Sequence, residues 1–428
     1  MDEMGTYTIH DDKHVDLQIQ ERIDGIVSFI IKNVPQVDSL ILTGGFGKGE
    51  GSTVITDGIV RPLRDFDFII VSSKKISHDH IRNVKGLLDQ NSQCDSYRYN
   101  KEFSIDISTT SLDSINIFPD VMTYDLKNSK VVYGEDIRNK IRWNAKDVPL
   151  RSGARLLFQK STALIGVLSS NYLSDGVPES LKKTFMREVS KVYIEIGSVL
   201  CILIGQYDSH CSTRAKIINN MYETSFPELF AQIPTLSDKI SKATRHKLNP
   251  SLSVYEGYDP ISYWFETRDD LGEVMKYFFR IYCGFPFDNW LNFSQNIKRC
   301  HSRKYFSPLI KNYLEYNNFP RPDPLVTILN ALFNINENLE YIRSISREPY
   351  LKYNLSKLFS VSAPAIRLYS ICPLLLFSID RDGSFNENYL DKAIESTHFT
   401  YIQSNPIHNK WEMARLMTLE MLQKISTW

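Results

Sequence analysis

Arg64-Asp65-Phe66-Asp67-Phe68-Ile69-Ile70-Val71 is the stretch on which the reading of this chain turns. From Phe66 to Val71 a single acid interrupts an apolar run, which reads as a strand rich in apolar residues. Asp65 and Asp67 are two positions apart. Alternate residues of a strand share a face, so both carboxylates are expected to point the same way. Two such charges converging to about 4 Å repel by about 4 kcal/mol at an effective dielectric near 20. A divalent cation removes that repulsion, and hard oxygen ligands favour Mg²⁺.

Working outward, residues 15–34 carry apolar side chains at helical spacing, from Val15 through Ile31. Asp38 to Thr43 reads as a short buried strand. It runs into Gly44-Gly45-Phe46-Gly47-Lys48-Gly49-Glu50-Gly51-Ser52, expected to be a loop because no regular element tolerates so many glycines. Thr53–Ile55 and Ile59–Arg61 flank Thr56-Asp57-Gly58, a hairpin signal. A helix is expected over Ile76–Leu88, a strand over Glu102–Ser108, and a last short strand over Val131–Gly134.

Two parts of this pattern extend the acid pair into a site. Asp106 lies in Phe103-Ser104-Ile105-Asp106-Ile107. If that strand pairs beside Phe66–Val71, Asp106 completes a three-carboxylate set suited to phosphoryl chemistry with two metal ions. The glycine run allows backbone N–H groups to approach phosphate oxygens, with Lys48 adding a charge and Ser52 a hydroxyl donor; Glu50 reads as a loop acid. The run is neither a Walker A loop nor a GxGxxG loop. No Lys-Ser or Lys-Thr pair closes it, and the sixth position from Gly45 is Glu50.

Leu42-Thr43-Gly44-Gly45, then Asp65-Phe66-Asp67-Phe68, then Asp106 resembles the head of the nucleotidyltransferase superfamily typified by DNA polymerase beta. The extended glycine run is similar to uncharacterised prokaryotic members and to aminoglycoside adenylyltransferases, which carry a C-terminal helical domain. The resemblance spans about residues 38–135. It implies that Gly44 and Gly45 face a triphosphate, that Asp65 and Asp67 bind metal, and that Asp106 is a metal ligand or general base. It implies Mg²⁺, two ions, and transfer of an NMP, by analogy AMP from ATP, to an acceptor hydroxyl with release of pyrophosphate. In one respect the chain departs from the family. Asp65 follows Gly45 by twenty positions, a longer spacer, and the hairpin occupies the extra length.

Beyond residue 150 helical spacing dominates, through segments such as Arg151–Ser169, Pro178–Gly205 and Asp269–Tyr282. The expected class is α+β: a nucleotidyltransferase-like α/β head with a mixed sheet over 1–148, a helical domain over 149–297, and a second helical region over 298–428. Within the last, Lys298–Pro322 reads as a Pro-containing linker. Arg214 and Lys216 read as solvated helix faces.

Lys plus Arg equals Asp plus Glu at 50 each, so net charge gives no pull toward nucleic acid or an anionic membrane. A small molecule or a protein is therefore the expected acceptor. An RNA 3′-end transferase remains an alternative, with Lys298–Lys304 as its short basic run, and so does a non-catalytic nucleotide-sensing or toxin–antitoxin module. None of the six cysteines has CxxC spacing, the acidic N-terminus lacks a signal-peptide core, and no apolar run approaches the ~20 residues of a membrane span. A cytoplasmic protein that does not enter membranes is the expectation.

Overall fold

The computed structural model describes residues 6–10, 12–56, 58–63, 65–91, 104–250, 252–320, 322–345, 351–353, 363–397, 399–401 and 409–425. Arg64, Asp57, Cys94, Glu102 and Phe103 lie outside the described residues. The chain is α+β and mainly helical, and it divides into two compact units. The first comprises Met1–Pro149 together with Leu200–Met221 and Ser237–Val254. The second comprises Leu150–Val199, Tyr222–Leu236 and Tyr255–Trp428.

The first unit opens with α1 (Lys13–Asn33), where the Asp12 carboxylate accepts hydrogen bonds from the His14 and Val15 backbone N–H groups. Its buried stripe Val15, Ile19, Ile23, Ile26, Val27 and Ile30 follows the helical period. Then come β1 (Ser39–Thr43), the single turn α2 (Gly44–Gly47), β2 (Thr53–Thr56), β3 (Ile59–Pro62), β4 (Phe66–Val71), α3 (His78–Asn91), β5 (Ile105–Thr110), α4 (Leu112–Ile117), α5 (Val121–Asp125) and β6 (Lys130–Gly134). The main sheet is mixed, in the order β5-β4-β1-β6. β4 pairs parallel with β5, and β1 pairs antiparallel with both β4 and β6. The hairpin β2–β3 forms a separate two-stranded sheet.

Both faces of the sheet are covered, and the strand period sorts the side chains between them. Phe66, Phe68 and Ile70 of β4 join α1, α3, Leu40, Leu42 and Ile105 in one core. Ile69 and Val71 join Ile41, Ile115, Leu126, Ile137 and Ile141 in the other. The apolar run therefore follows from two-sided burial.

Two expectations for the head need correction. Gly44–Gly47 is one helical turn rather than irregular loop. Gly44, at φ +64°, ends β1 in a left-handed conformation that glycine adopts without strain. Asp65 lies immediately before β4 rather than within it, and is exposed.

The second unit is a helical assembly around aromatic side chains. Phe158 stacks on Tyr369 with ring centroids 5.5 Å apart, and Phe279 and Phe293 pack beside it. Trp264 and Trp411, both fully buried, keep their indole N–H groups satisfied, the first on the Leu164 carbonyl (2.9 Å) and the second on that of Leu375 (3.0 Å). Lys298–Pro322 is not a linker over most of its length. Trp290–Tyr316 is one helix with Pro308 inside it, so the expected boundary at 298 falls within a regular element. Leu351–Tyr353, expected to be helical, is a short strand paired with Phe399–Tyr401. Among the described residues no helix is long and apolar enough to cross a membrane.

Candidate functional site

The acids meet where β4 and β5 begin. In the parallel pairing Asp67 is the register partner of Asp106, so the two side chains leave the same face on adjacent strands. Across the antiparallel pair, Asp67 is opposite Thr43, the last residue before the glycine turn. Asp65 has the parity of Asp67 and flanks it. Sheet register thus brings Asp65, Asp67 and Asp106 to one edge, beside Gly44.

Their environments differ. Asp67 is partly buried, and its pKa is pushed from the ordinary 3.8 up to about 6. Burial is the main cause, followed by the charges of Asp65 and Asp106; Lys48 and Lys247 oppose the rise. Among the described residues the Asp67 carboxylate accepts no hydrogen bond. Asp106 is half-exposed and forms an ion pair with Lys85 of α3.

Gly44 is fitted to Asp67. A Cβ on Gly44 would lie 2.0 Å from Asp67 Oδ2, so the backbone of the turn rests directly against the carboxylate. Gly45 closes the loop on itself: its carbonyl accepts from the Glu50 N–H at 2.8 Å, and a Cβ there would meet the Glu50 carbonyl at 2.9 Å. The loop folds so tightly that side chains at 44 and 45 are excluded.

Lys48 and Ser52 point to other duties than those expected. The Lys48 ammonium binds Asp125 Oδ2 at 2.5 Å and the Ser209 carbonyl at 3.2 Å, while remaining near enough to Asp67 to favour its charged form. The Ser52 hydroxyl, fully buried, donates to the Lys247 carbonyl, so its donor is spent within the fold.

Glu50 is the residue whose role the sequence hid. It is 1% exposed, and its carboxylate accepts from the backbone N–H of Cys211 (2.8 Å), the N–H of Ser212 (2.9 Å) and the Ser212 hydroxyl (2.6 Å). It caps the helix Cys211–Ser225, 161 positions along the chain. Burial pushes its pKa up, but Lys247 and the Ser212 and Cys211 donors prevail and hold it at about 2. Arg214, expected on a solvated face, is buried and donates to the carbonyls of Asp208 (2.6 Å) and Ser209 (3.0 Å). Lys247, His210, Asp208 and Asp125 join the group only through folding. Asp208-Ser209-His210 is legible as a polar turn and nothing more.

Among the described residues, no three His, Cys, Asp or Glu side chains stand ready as a metal cage. The donor chemistry of the strand edge nevertheless fits a hard divalent cation: three carboxylates, one of them partly buried, elevated in pKa and without a hydrogen-bond donor. Comparison of the chain with protein-family models, with curated proteins and with solved structures finds no match.

Proposed function

We propose that the first unit is a Mg²⁺-dependent nucleotidyltransferase, moving an NMP from an NTP to an acceptor hydroxyl. One observation carries the reading: Asp67, between Asp65 and Asp106 and pressed on Gly44, is a carboxylate that the fold leaves without a donor. Asp65, Asp67 and Asp106 would hold the ions, which when bound neutralise the carboxylates and the charge of the triphosphate. The Gly44–Gly45 turn, closed against Asp67 and Glu50, lies at the same edge and would face the triphosphate. Asp106, more exposed than Asp67, takes the acceptor's proton. The oxygen so freed attacks the α-phosphorus in line, and pyrophosphate departs. ATP is the proposed donor and a small molecule or protein the proposed acceptor, in keeping with the zero net charge.

The test is transfer of label from NTPs carrying radioactive α-phosphate, with Mg²⁺ and a cell extract as acceptor source. Label should move into a small-molecule or protein fraction and should disappear in the double variant Asp65→Asn/Asp67→Asn. Transfer that survives the double variant would sink the reading. Label confined to RNA would replace the acceptor class, and tight NTP binding without transfer would mark a sensor.

A further inference from the structure

His210 stands in a place that nothing in the reaction above uses. The loop Asp208–Ser212 is fastened to the glycine run on both sides of it: the Ser209 carbonyl accepts from Lys48, and the Cys211 N–H donates to Glu50. Arg214 fixes the same loop from behind through the Asp208 and Ser209 carbonyls. Within this frame the imidazole is oriented by Asp208, whose Oδ1 lies 3.1 Å from His210 Nδ1 and also accepts the His210 backbone N–H at 2.7 Å. With Nδ1 committed to a carboxylate, the ring presents Nε2 as its free edge. Among the described residues Nε2 has no partner, and the side chain is 27% exposed.

The charges facing the ring come from three elements besides its own loop. Glu50 and Lys48 reach it from the glycine run, Asp125 of α5 holds Lys48, and Lys247 of the Leu236–Leu248 helix sits on Cys211 Sγ at 3.1 Å. The Asp208 hydrogen bond is the chief influence and favours the imidazolium. Burial opposes it, Glu50 adds to it, and Lys48 works against it, leaving the pKa above the ordinary 6.5. His210 thus stands beside Lys48 on a loop fastened to the glycine run, which on the nucleotidyl-transfer reading faces the triphosphate, with Nε2 open to donate a proton.

We propose that His210, oriented by Asp208, is the general acid for the leaving pyrophosphate, with Asp208 as its positioning residue. This rests on the nucleotidyl-transfer reading. The bond between acceptor oxygen and α-phosphorus forms as the bond from α-phosphorus to the bridging oxygen breaks. The electron pair goes to the departing pyrophosphate, which takes the proton from His210 Nε2. The acceptor's proton goes to Asp106, and both groups reset by proton exchange with water.

The experiment uses the full chain, ATP, and two analogues whose leaving groups differ in basicity, β,γ-methylene-ATP and β,γ-difluoromethylene-ATP. General acids contribute on the order of 10²–10⁴-fold. His210→Gln should therefore lower kcat with ATP about 100-fold or more while leaving KM within about threefold. The loss should be larger for the methylene analogue, whose leaving group most needs a proton, than for the difluoromethylene one. The basic limb of the wild-type kcat–pH profile should vanish in His210→Gln and move to lower pH in Asp208→Asn. Equal losses on all three donors, or a basic limb that persists in His210→Gln, overturns the proposal while leaving nucleotidyl transfer intact. Should His210→Gln fail to fold, the wild type still decides: a kcat without a basic limb overturns the assignment. Absence of label transfer by the wild type overturns the underlying reading and this inference with it.

Discussion

Glu50→Gln replaces a buried anion with a neutral side chain of the same shape, and its cost can be worked from the surroundings. Glu50 is held at about 2 against an ordinary 4.5, and each pKa unit is worth about 1.36 kcal/mol, so the charged form contributes about 3 kcal/mol near neutral pH. The sign follows from the direction of the shift. A carboxylate with a depressed folded pKa stabilises fully above its unfolded value of 4.5 and loses that contribution as pH falls through about 2. By linkage the contribution is about 1.4 kcal/mol at pH 3. Glutamine keeps one acceptor but turns an amide N–H₂ toward the Cys211 and Ser212 donors, leaving at least one of them unsatisfied. Urea unfolding at pH 7 and pH 3 reads the magnitude. The rate of Cys211 thiol labelling reads it locally, because that thiol is buried behind the cap. The variant should be about 3 kcal/mol less stable at pH 7, with Cys211 labelled faster, and the gap should narrow by half or more at pH 3. Equal stability at pH 7, or a gap unchanged at pH 3, would show that Glu50 is not the charged cap of the Cys211–Ser225 helix.

Two further outcomes concern the strand edge. Asp67 has a folded pKa of about 6 against 3.8, so in metal-free protein its charge costs about 3 kcal/mol above pH 6, and this burden lifts as pH falls through 6 toward 3.8. Asp67→Asn should accordingly raise the Tm in EDTA at pH 8 and lose its advantage at pH 4, and added Mg²⁺ should stabilise the wild type but not the variant; a Tm lowered at pH 8 contradicts the environment described. Gly44→Ala places a methyl against Asp67 Oδ2 at a positive φ, which costs about 1 kcal/mol for the backbone alone and displaces the carboxylate. Label transfer should fall on the order of 100-fold with a modest drop in Tm, and near-normal transfer would separate Gly44 from the chemistry.

The head was legible where local rules decide. β4 shows as an apolar run because both faces of its sheet are covered, and the parity of Asp65, Asp67 and Asp106 follows from the period of the strand. What the chain does not show locally is which remote segment completes a polar group. Ser52 reads as a phosphate donor until the Lys247 carbonyl is found on its hydroxyl, and Arg214 reads as a solvated helix residue until it is seen buried on two carbonyls. The return of Leu200–Met221 and Ser237–Val254 to the first unit leaves no trace in hydrophobic period, because helices of either unit bury similar stripes. Trp290–Tyr316 misleads for a different reason: Pro308 and its polar neighbours resemble a linker, yet the helix continues through them.

Glu50 and Asp67 together sharpen what the strand edge is for. Both are acids withdrawn from water close to the same glycine turn, and burial alone would raise both pKa values. For Glu50 the fold supplies three donors and a lysine, and the pKa falls. For Asp67 the fold supplies two more carboxylates and a glycine that excludes any side chain, and the pKa rises despite Lys48 and Lys247. A chain able to satisfy one buried acid so fully has the means to satisfy the other. Leaving Asp67 unsatisfied costs stability, and such a cost is the usual mark of a site kept for a ligand rather than for folding. On the proposed reading a cation would give Asp67 what the donors give Glu50, at the edge where the Gly44 turn rests against the carboxylate.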